Sequence, residues 1–121
     1  MAFLWATIHV RDMEASVKFY QEVVGLTLRR RFSPGNGQDI AFLGVGETEV
    51  ELYHTEGELL PETVNGISLG FKTQDAVTLM QELKEKHMRV SDMISPNPNL
   101  QFFYVKDPDG VSVQFVEDLR K

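Results

Sequence analysis

In the stretch "LWATIHVRDMEASVKFYQEVVGL", residues 4–26, apolar residues first recur at every second position and then at helical spacing. Within residues 4–10 aliphatic side chains alternate with aromatic or polar ones, which predicts a β-strand. Asp12 is a favourable residue to cap a helix, and apolar residues at helical spacing follow it until Gly25. The predicted strand has Ala6, Ile8 and Val10 on the face that the helix would cover, and Trp5, Thr7 and His9 on the other face.

The rest of the sequence repeats this order. Short strands are predicted at about 26–32, 39–44 and 49–53, separated by turns that contain Gly or Pro. After an acidic linker, 55–65, come a strand at 66–71, a helix at about 73–87, and strands near 89–94, 101–106 and 111–116. The two halves are offset by about 61–63 residues, which indicates an internal duplication.

The duplication predicts an α+β fold of two βαβββ modules, residues 1–54 and 66–121, within a single domain, 1–121. One such module leaves one face of its sheet uncovered by its own helix. We therefore expect two modules to associate, within a chain or between chains, so that their sheets form a curved cleft with the helices outside.

Composition and charge exclude several functions. The chain of 121 residues has no cysteine, which excludes disulfides, thiolate metal sites and a cysteine nucleophile. Its net charge of −6 argues against nucleic acid binding, which depends on clustered Lys and Arg. The first residues, "MAFLWATIHVRD", lack the pattern of a signal peptide or a membrane span. We expect a cytoplasmic protein with neither nucleic acid nor membrane as partner.

Three segments resemble a known family. "IHVRDMEASVKFYQEVVGLTL" (8–28), "VELY" (50–53) and "VKDPDGVSVQFVE" (105–117) are similar to recurrent segments of the vicinal oxygen chelate superfamily. That superfamily includes glyoxalase I, methylmalonyl-CoA epimerase, fosfomycin and bleomycin resistance proteins, and extradiol dioxygenases. The resemblance implies the paired βαβββ fold, but the family covers many functions.

The resemblance also implies where a metal would be held. Metal-using members take one ligand from the first and the last strand of each module, and those positions are Trp5, Glu51, Gly66 and Gln114 here. Trp5 and Gly66 cannot ligate through a side chain, and Gln114 offers a neutral carbonyl oxygen in place of a carboxylate. Since the divalent metals of this family need three or more protein ligands, we expect no metal and no cofactor at this position.

His9 leaves a second interpretation open. By alternation it shares a face with Trp5, and the first and fourth strands are neighbours in this family. His9, Glu51 and either Glu49 or Gln114 would then form a relocated metal site. The alternative is an ordinary imidazole–carboxylate hydrogen bond, which burial of either group would require.

The remaining candidates are aromatic and polar residues expected on the inner face of the cleft. Trp5 either packs in a core or forms a platform for a flat or cationic ligand. Arg29 and Arg31 are predicted to share one strand face, where they clamp an anionic ligand or solvate an outer edge. The predicted ligand-binding residues are Trp5, Thr7, His9, Phe42, Glu49, Glu51, Tyr53, Ser68, Tyr104 and Gln114.

The sequence therefore favours a metal-free small-molecule-binding protein, most similar to the bleomycin resistance branch. We expect a homodimer that binds or sequesters a bulky or cationic compound. The alternative is a metal-dependent lyase or isomerase of the glyoxalase or epimerase type, in which Glu51 is the catalytic base. A regulatory protein with no ligand is a third alternative.

Overall fold

A computed structural model of the chain describes residues 1–120. It divides into two compact units, the first ending at Glu62 and the second beginning at Thr63. Over the described residues each unit has a four-stranded sheet and one α-helix, which confirms the predicted α+β class and the two βαβββ repeats. The division between the units falls inside the predicted 55–65 linker.

The first unit follows the predicted order closely. Its elements are β1 (Trp5–His9), α1 (Met13–Lys18) continued by a π-helical turn (Phe19–Val23), β2 (Thr27–Gly35), β3 (Gln38–Gly44) and β4 (Glu49–Thr55). The strands are arranged in the order β1-β4-β3-β2. β1 runs parallel to β4, and the other pairs are antiparallel.

Local chemistry sets the bounds of the first helix. The side chain of Asp12 accepts a hydrogen bond from the Ala15 N–H at 3.2 Å, which satisfies one of the free donors of the first turn. Gly25 ends the helical segment with φ of +84°, a conformation that favours glycine. The helix and the aliphatic face of the sheet bury a common core, which includes Ile8, Val10, Val17, Val50 and Leu52.

The second unit has the same order of elements. It consists of β5 (Ser68–Lys72), α2 (Ala76–Glu85), β6 (Ile94–Asn97), β7 (Leu100–Lys106) and β8 (Ser112–Asp118), arranged as β5-β8-β7-β6. Asp75 caps α2 by accepting a hydrogen bond from the Thr78 N–H at 3.0 Å. The helix is therefore shorter than the predicted 73–87, and Gly66 lies before β5 rather than in it.

The predicted strand at 89–94 is wrong in its position, because β6 begins only at Ile94. Val90 forms an isolated bridge with Val105, so the chain approaches β7 there without continuing the ladder. The Ser91 hydroxyl accepts the Tyr104 N–H at 2.8 Å, and this side-chain contact takes a donor that a neighbouring strand would otherwise use.

The turn before β8 is fixed by a buried acid. Asp107 accepts hydrogen bonds from the N–H groups of Asp109 and Val111, at 2.8 and 2.9 Å. Gly110 adopts φ of +89°, which completes the turn. This arrangement sets the start of β8 and with it the face on which Gln114 lies.

No helix among residues 1–120 has the length and the apolar character needed to span a membrane.

Candidate functional site

The candidate site of the first unit lies on the sheet face opposite the α1-covered core, which we call the first open face. Along β1, Ile8 is buried whereas Trp5, Thr7 and His9 are exposed, as the alternation predicts. The parallel register sets Trp5 against Glu49, Thr7 against Glu51 and His9 against Tyr53. Phe42 pairs with Glu51 across β3 and β4 and so shares this face, as expected. All seven candidates of the first unit therefore lie on one surface.

Aromatic rings form the apolar part of the first open face. The Trp5 and Phe42 rings meet edge-on with centroids 5.1 Å apart, and Phe32 is stacked with Phe42 at 6.5 Å. Phe42 is only 5% exposed, but Trp5 is 42% and Phe32 49% exposed. Of the two interpretations of Trp5, the structure therefore favours a supported, partly exposed ring over a core residue.

Arg30 lies over the ring of Phe42 in this aromatic group. Its guanidinium carbon lies 4.0 Å from the Phe42 ring centroid, a cation–π contact. Its two terminal nitrogens donate to both carboxylate oxygens of Glu49, at 3.1 and 3.0 Å. Arg29 adds a longer contact to Glu49 at 3.7 Å. The negative charge of Glu49 is therefore matched within the protein.

The sequence pattern placed the arginines incorrectly. A register shift between Leu28 and Arg30 brings Arg29 and Arg30 to Glu49, so Arg29 does not share a face with Arg31. Arg31 instead contacts Asp39 at 2.8 Å and Glu14 of α1 at 2.6 Å. Its hydrogen bonds hold the pKa of Asp39 below the ordinary value. Arg31 thus joins the sheet to the helix and is not available to clamp a ligand on the first open face.

Glu51 has a different kind of partner. The Thr7 hydroxyl donates a hydrogen bond to Glu51 Oε1, across the parallel β1–β4 pair. A hydroxyl is neutral, so this bond orients the carboxylate without matching its charge. Among residues 1–120 the structure records no ion pair to Glu51. The charge of Glu51 therefore remains available to a bound group.

His9 belongs to another contact. Its Nδ1 lies 3.0 Å from both carboxylate oxygens of Glu58, and its ring stacks on Tyr53 at 5.2 Å. The predicted hydrogen bond between an imidazole and a carboxylate is therefore present, but its acid is Glu58 rather than Glu51 or Glu49. Arg11 adds a bond to the Leu60 carbonyl at 2.8 Å, which holds the same segment. Sequence patterns missed Glu58 because it lies in the predicted linker, where no periodicity marks its direction.

The second unit has its own open face, opposite the core of α2 and β8. Gly70, Gln114 and Tyr104 are in register across β5, β8 and β7. Gln114 Nε2 donates to the Tyr104 hydroxyl at 3.3 Å. A Cβ added at Gly70 would lie 3.2 Å from Gln114 Oε1, so the absent side chain leaves room for the amide. Ser68, the third candidate of this unit, is in register with Ser112 on the same face.

The four positions that the family uses for its metal do not fit a metal ion in this chain. Trp5 presents an indole packed on Phe42, and Gly66 has no side chain. Gln114 has a neutral amide engaged with Tyr104, so Glu51 is the single carboxylate of the set. Across residues 1–120 no group of three or more histidine and acidic side chains is placed to hold a metal. The donor set is therefore too small for the family's divalent ions.

Comparison with known proteins agrees with this fold. The family model of the Glyoxalase/Bleomycin resistance protein/Dioxygenase superfamily matches residues 2–115. The chain belongs to this superfamily. The match covers both units and includes every candidate residue on the two open faces.

Individual relatives carry different descriptions. An uncharacterised protein of Bacillus subtilis, YwbC, is 32% identical over 116 residues, covering 91% of this chain and 92% of the relative. A lactoylglutathione lyase of Haemophilus influenzae is 27% identical over 126 residues, covering 98% and 93%. The solved structure of TnmS3, an antibiotic binding protein from Streptomyces sp. CB03234, superimposes with a TM-score of 0.78 at 22% identity, covering 98% and 96%. A named lyase is thus similar to this chain in sequence, and a named antibiotic binding protein shares its fold.

Proposed function

We propose that this protein binds a small organic molecule on the first open face without using a metal ion. The observation that carries the proposal is the pairing of a partly exposed aromatic group with one acid whose charge is not matched. Trp5 and Phe32 offer ring surface, supported from below by the buried Phe42. Glu51 lies beside Phe42 in the strand register.

The charges of the face indicate the kind of ligand. Two acids lie on β4, but Glu49 is held by Arg30 and Arg29, whereas Glu51 is held by the neutral Thr7. A bound group therefore meets one carboxylate, that of Glu51, which no ion pair within residues 1–120 holds and which lies next to aromatic rings. That combination favours a flat apolar body that carries a cationic or hydrogen-bond-donating group. The sequence predicted both Glu49 and Glu51 as ligand-binding acids. The proposal keeps only Glu51, because arginines hold Glu49.

The superfamily match and the TnmS3 fold are compatible with a binding role. The chain's own residues support it more directly, because three of the four metal positions lack a charged or imidazole ligand. Recognition then depends on stacking, apolar contact and a single carboxylate. Sequestration of a bulky or cationic compound is the biological role that we infer from this chemistry.

The test uses the single tryptophan of the chain. The indole N–H resonance of Trp5 is followed by NMR while N-methylquinolinium is added to the full-length protein. Neutral quinoline and anionic quinaldate serve as matched probes of similar shape. We expect the cation to shift the resonance saturably and to bind more tightly than the other two.

Matched variants locate the charge. Glu51→Gln should weaken N-methylquinolinium binding by about tenfold, because one carboxylate–cation contact near an aromatic surface is lost. Glu47→Gln removes an exposed acid outside the strands and should change nothing. Equal binding of all three probes, or equal affinity of the two variants, would contradict the proposal.

A lyase activity is the second candidate function. The named lyase of Haemophilus influenzae and the retained Glu51 favour it, since a carboxylate at this position is able to act as a general base. An assay for lactoylglutathione lyase activity with added Ni²⁺ or Zn²⁺ tests it directly. Turnover that requires the metal and disappears in Glu51→Gln would replace the binding proposal with the enzymatic one.

The homodimer, the cytoplasmic location and the absence of nucleic acid partners stay predictions. Light scattering of the purified chain tests the dimer, and it does so independently of the ligand.

A further inference from the structure

The second unit contains a cavity that the proposed function does not use. Its volume is about 600 Å³, within the range of small-molecule sites. It lies at the end of the sheet where β5 and β8 finish and β7 begins, and the 97–99 turn closes one side. Leu100 and Val116 supply apolar wall, and Gly70 contributes no side chain.

Charged and amide groups line the same cavity. Lys72 is the last residue of β5, in register with Val116, and lies on the face that also carries Gly70. Asp118 and Arg120 follow at the end of β8, and the two form a bidentate pair with nitrogen–oxygen distances of 3.0 and 2.8 Å. Arg120 therefore pairs with Asp118, which is the single carboxylate of the lining. Lys72 adds a second positive charge.

The ionised state of Asp118 supports this count of the charges in the cavity lining. The side-chain and backbone hydrogen bonds from Arg120, together with the charge of Lys72, hold the pKa of Asp118 below its ordinary value. At neutral pH the lining carries Lys72 and Arg120 as cations and Asp118 as an anion. The net charge of the cavity is therefore +1, which a monoanion would neutralise.

Two asparagines add hydrogen-bond donors. Asn97 accepts the Asn99 N–H on its Oδ1 at 2.9 Å, so its amide nitrogen keeps both hydrogens for another partner. Asn99 is also among the residues that line the cavity. An ammonium and primary amides together suit the two oxygens of a carboxylate.

We propose that the cavity of the second unit binds a small carboxylate with an apolar body, through Lys72 and the two asparagine amides. The proposal depends on residues 70–120 alone and is independent of the first open face. The acidic balance of the whole chain does not oppose it, because the local lining sets the charge that a bound group meets.

The test is an NMR titration of the isotope-labelled full chain with benzoate. Benzyl alcohol and benzylammonium serve as neutral and cationic probes of the same ring. We expect benzoate to shift the backbone resonances of Gly70, Leu100 and Val116, with weaker effects from the other two. The Trp5 indole resonance, read in the same spectra, separates this result from the proposed function of the first unit.

Variants of the lining residues test which groups hold the carboxylate. Lys72→Gln should weaken benzoate binding by about tenfold, since a charge-assisted contact becomes a neutral one. Asn99→Asp should weaken it as well, because it places a negative charge beside the carboxylate. Lys84→Gln, which changes an exposed lysine of α2, is the matched control and should bind as the native protein does. The proposal is overturned if benzoate leaves the three resonances unmoved, if benzyl alcohol binds equally well, or if Lys72→Gln and Lys84→Gln have the same affinity.

Discussion

The indole of Trp5 stands edge-on to the ring of Phe42, with centroids 5.1 Å apart and ring planes at 72°. The two rings come from β1 and β3, which are separated by β4 in the sheet. Phe42 is the buried member and Trp5 the partly exposed one. The pair thus combines a buried ring with a partly exposed one.

The two rings should contribute unequally to stability. Phe42→Ala should lower the free energy of unfolding by about 3–5 kcal/mol, because it leaves a cavity among buried residues. Trp5→Ala should lower it by about 1 kcal/mol, since much of the indole stays in contact with water in the folded state. Urea denaturation followed by circular dichroism measures both. Similar losses for the two variants would mean that Trp5 is a core residue and not a platform.

Arg30 should stabilise the first open face more than Arg29 does. Arg30→Met removes a bidentate bond to a Glu49 side chain that is only 12% exposed, and it also removes the contact with Phe42. We expect a loss of about 1–2 kcal/mol in unfolding free energy. Arg29→Met breaks only a 3.7 Å contact and should cost less than about 0.5 kcal/mol. Equal effects in the same denaturation experiment would contradict the geometry of the pair.

Thr7 should act through the orientation of Glu51. Thr7→Val removes the hydroxyl and keeps the shape, so the carboxylate loses its hydrogen bond. N-methylquinolinium should then bind about threefold more weakly, and Thr7→Ser, which keeps a hydroxyl, should restore most of the affinity. Isothermal titration calorimetry measures both variants. An affinity that does not change in Thr7→Val would show that the hydroxyl has no part in presenting the acid.

The Arg31–Asp39 pair makes a pH-dependent contribution to stability. Arg31 holds the pKa of Asp39 below its ordinary value of 3.8, so this contribution is present above that pH. It is lost as the pH falls through the lower pKa of the folded state. Arg31→Met should therefore cost about 1 kcal/mol at neutral pH, and the difference from the native protein should shrink under acid conditions.

Unfolding free energies across the acid range test this expectation, with Lys84→Met on α2 as the matched control. A difference between Arg31→Met and the native protein that stays constant below pH 3.8 would exclude the ion pair as its cause.

Period-two alternation was sufficient to predict which face of β1 and β4 each residue occupies. Ile8, Val50 and Leu52 are buried, and Trp5, Thr7 and Glu51 lie on the opposite face. The capping acid Asp12 and the terminating Gly25 marked the ends of the first helical segment, because both act through local backbone geometry. Local patterns of this kind are informative because one face of each strand must be buried.

What the sequence could not provide depends on register and on segments without a period. A one-residue register shift in β2 places Arg30 on the first open face, where uninterrupted alternation from Arg29 would have placed Arg31. Glu58 contacts His9 from a loop, and no hydrophobic pattern in the sequence predicts the direction of that loop. β6 begins only at Ile94, after a segment in which the Ser91 hydroxyl accepts the Tyr104 N–H. Each of these outcomes is a tertiary contact, and no local period reports it.

The metal content of native protein, purified without chelators and measured by mass spectrometry, decides whether this chain holds a transition-metal ion. We expect far less than one transition-metal ion per chain, both in the native protein and in Glu51→Gln. One nickel or zinc ion per native chain, lost in Glu51→Gln, would contradict it.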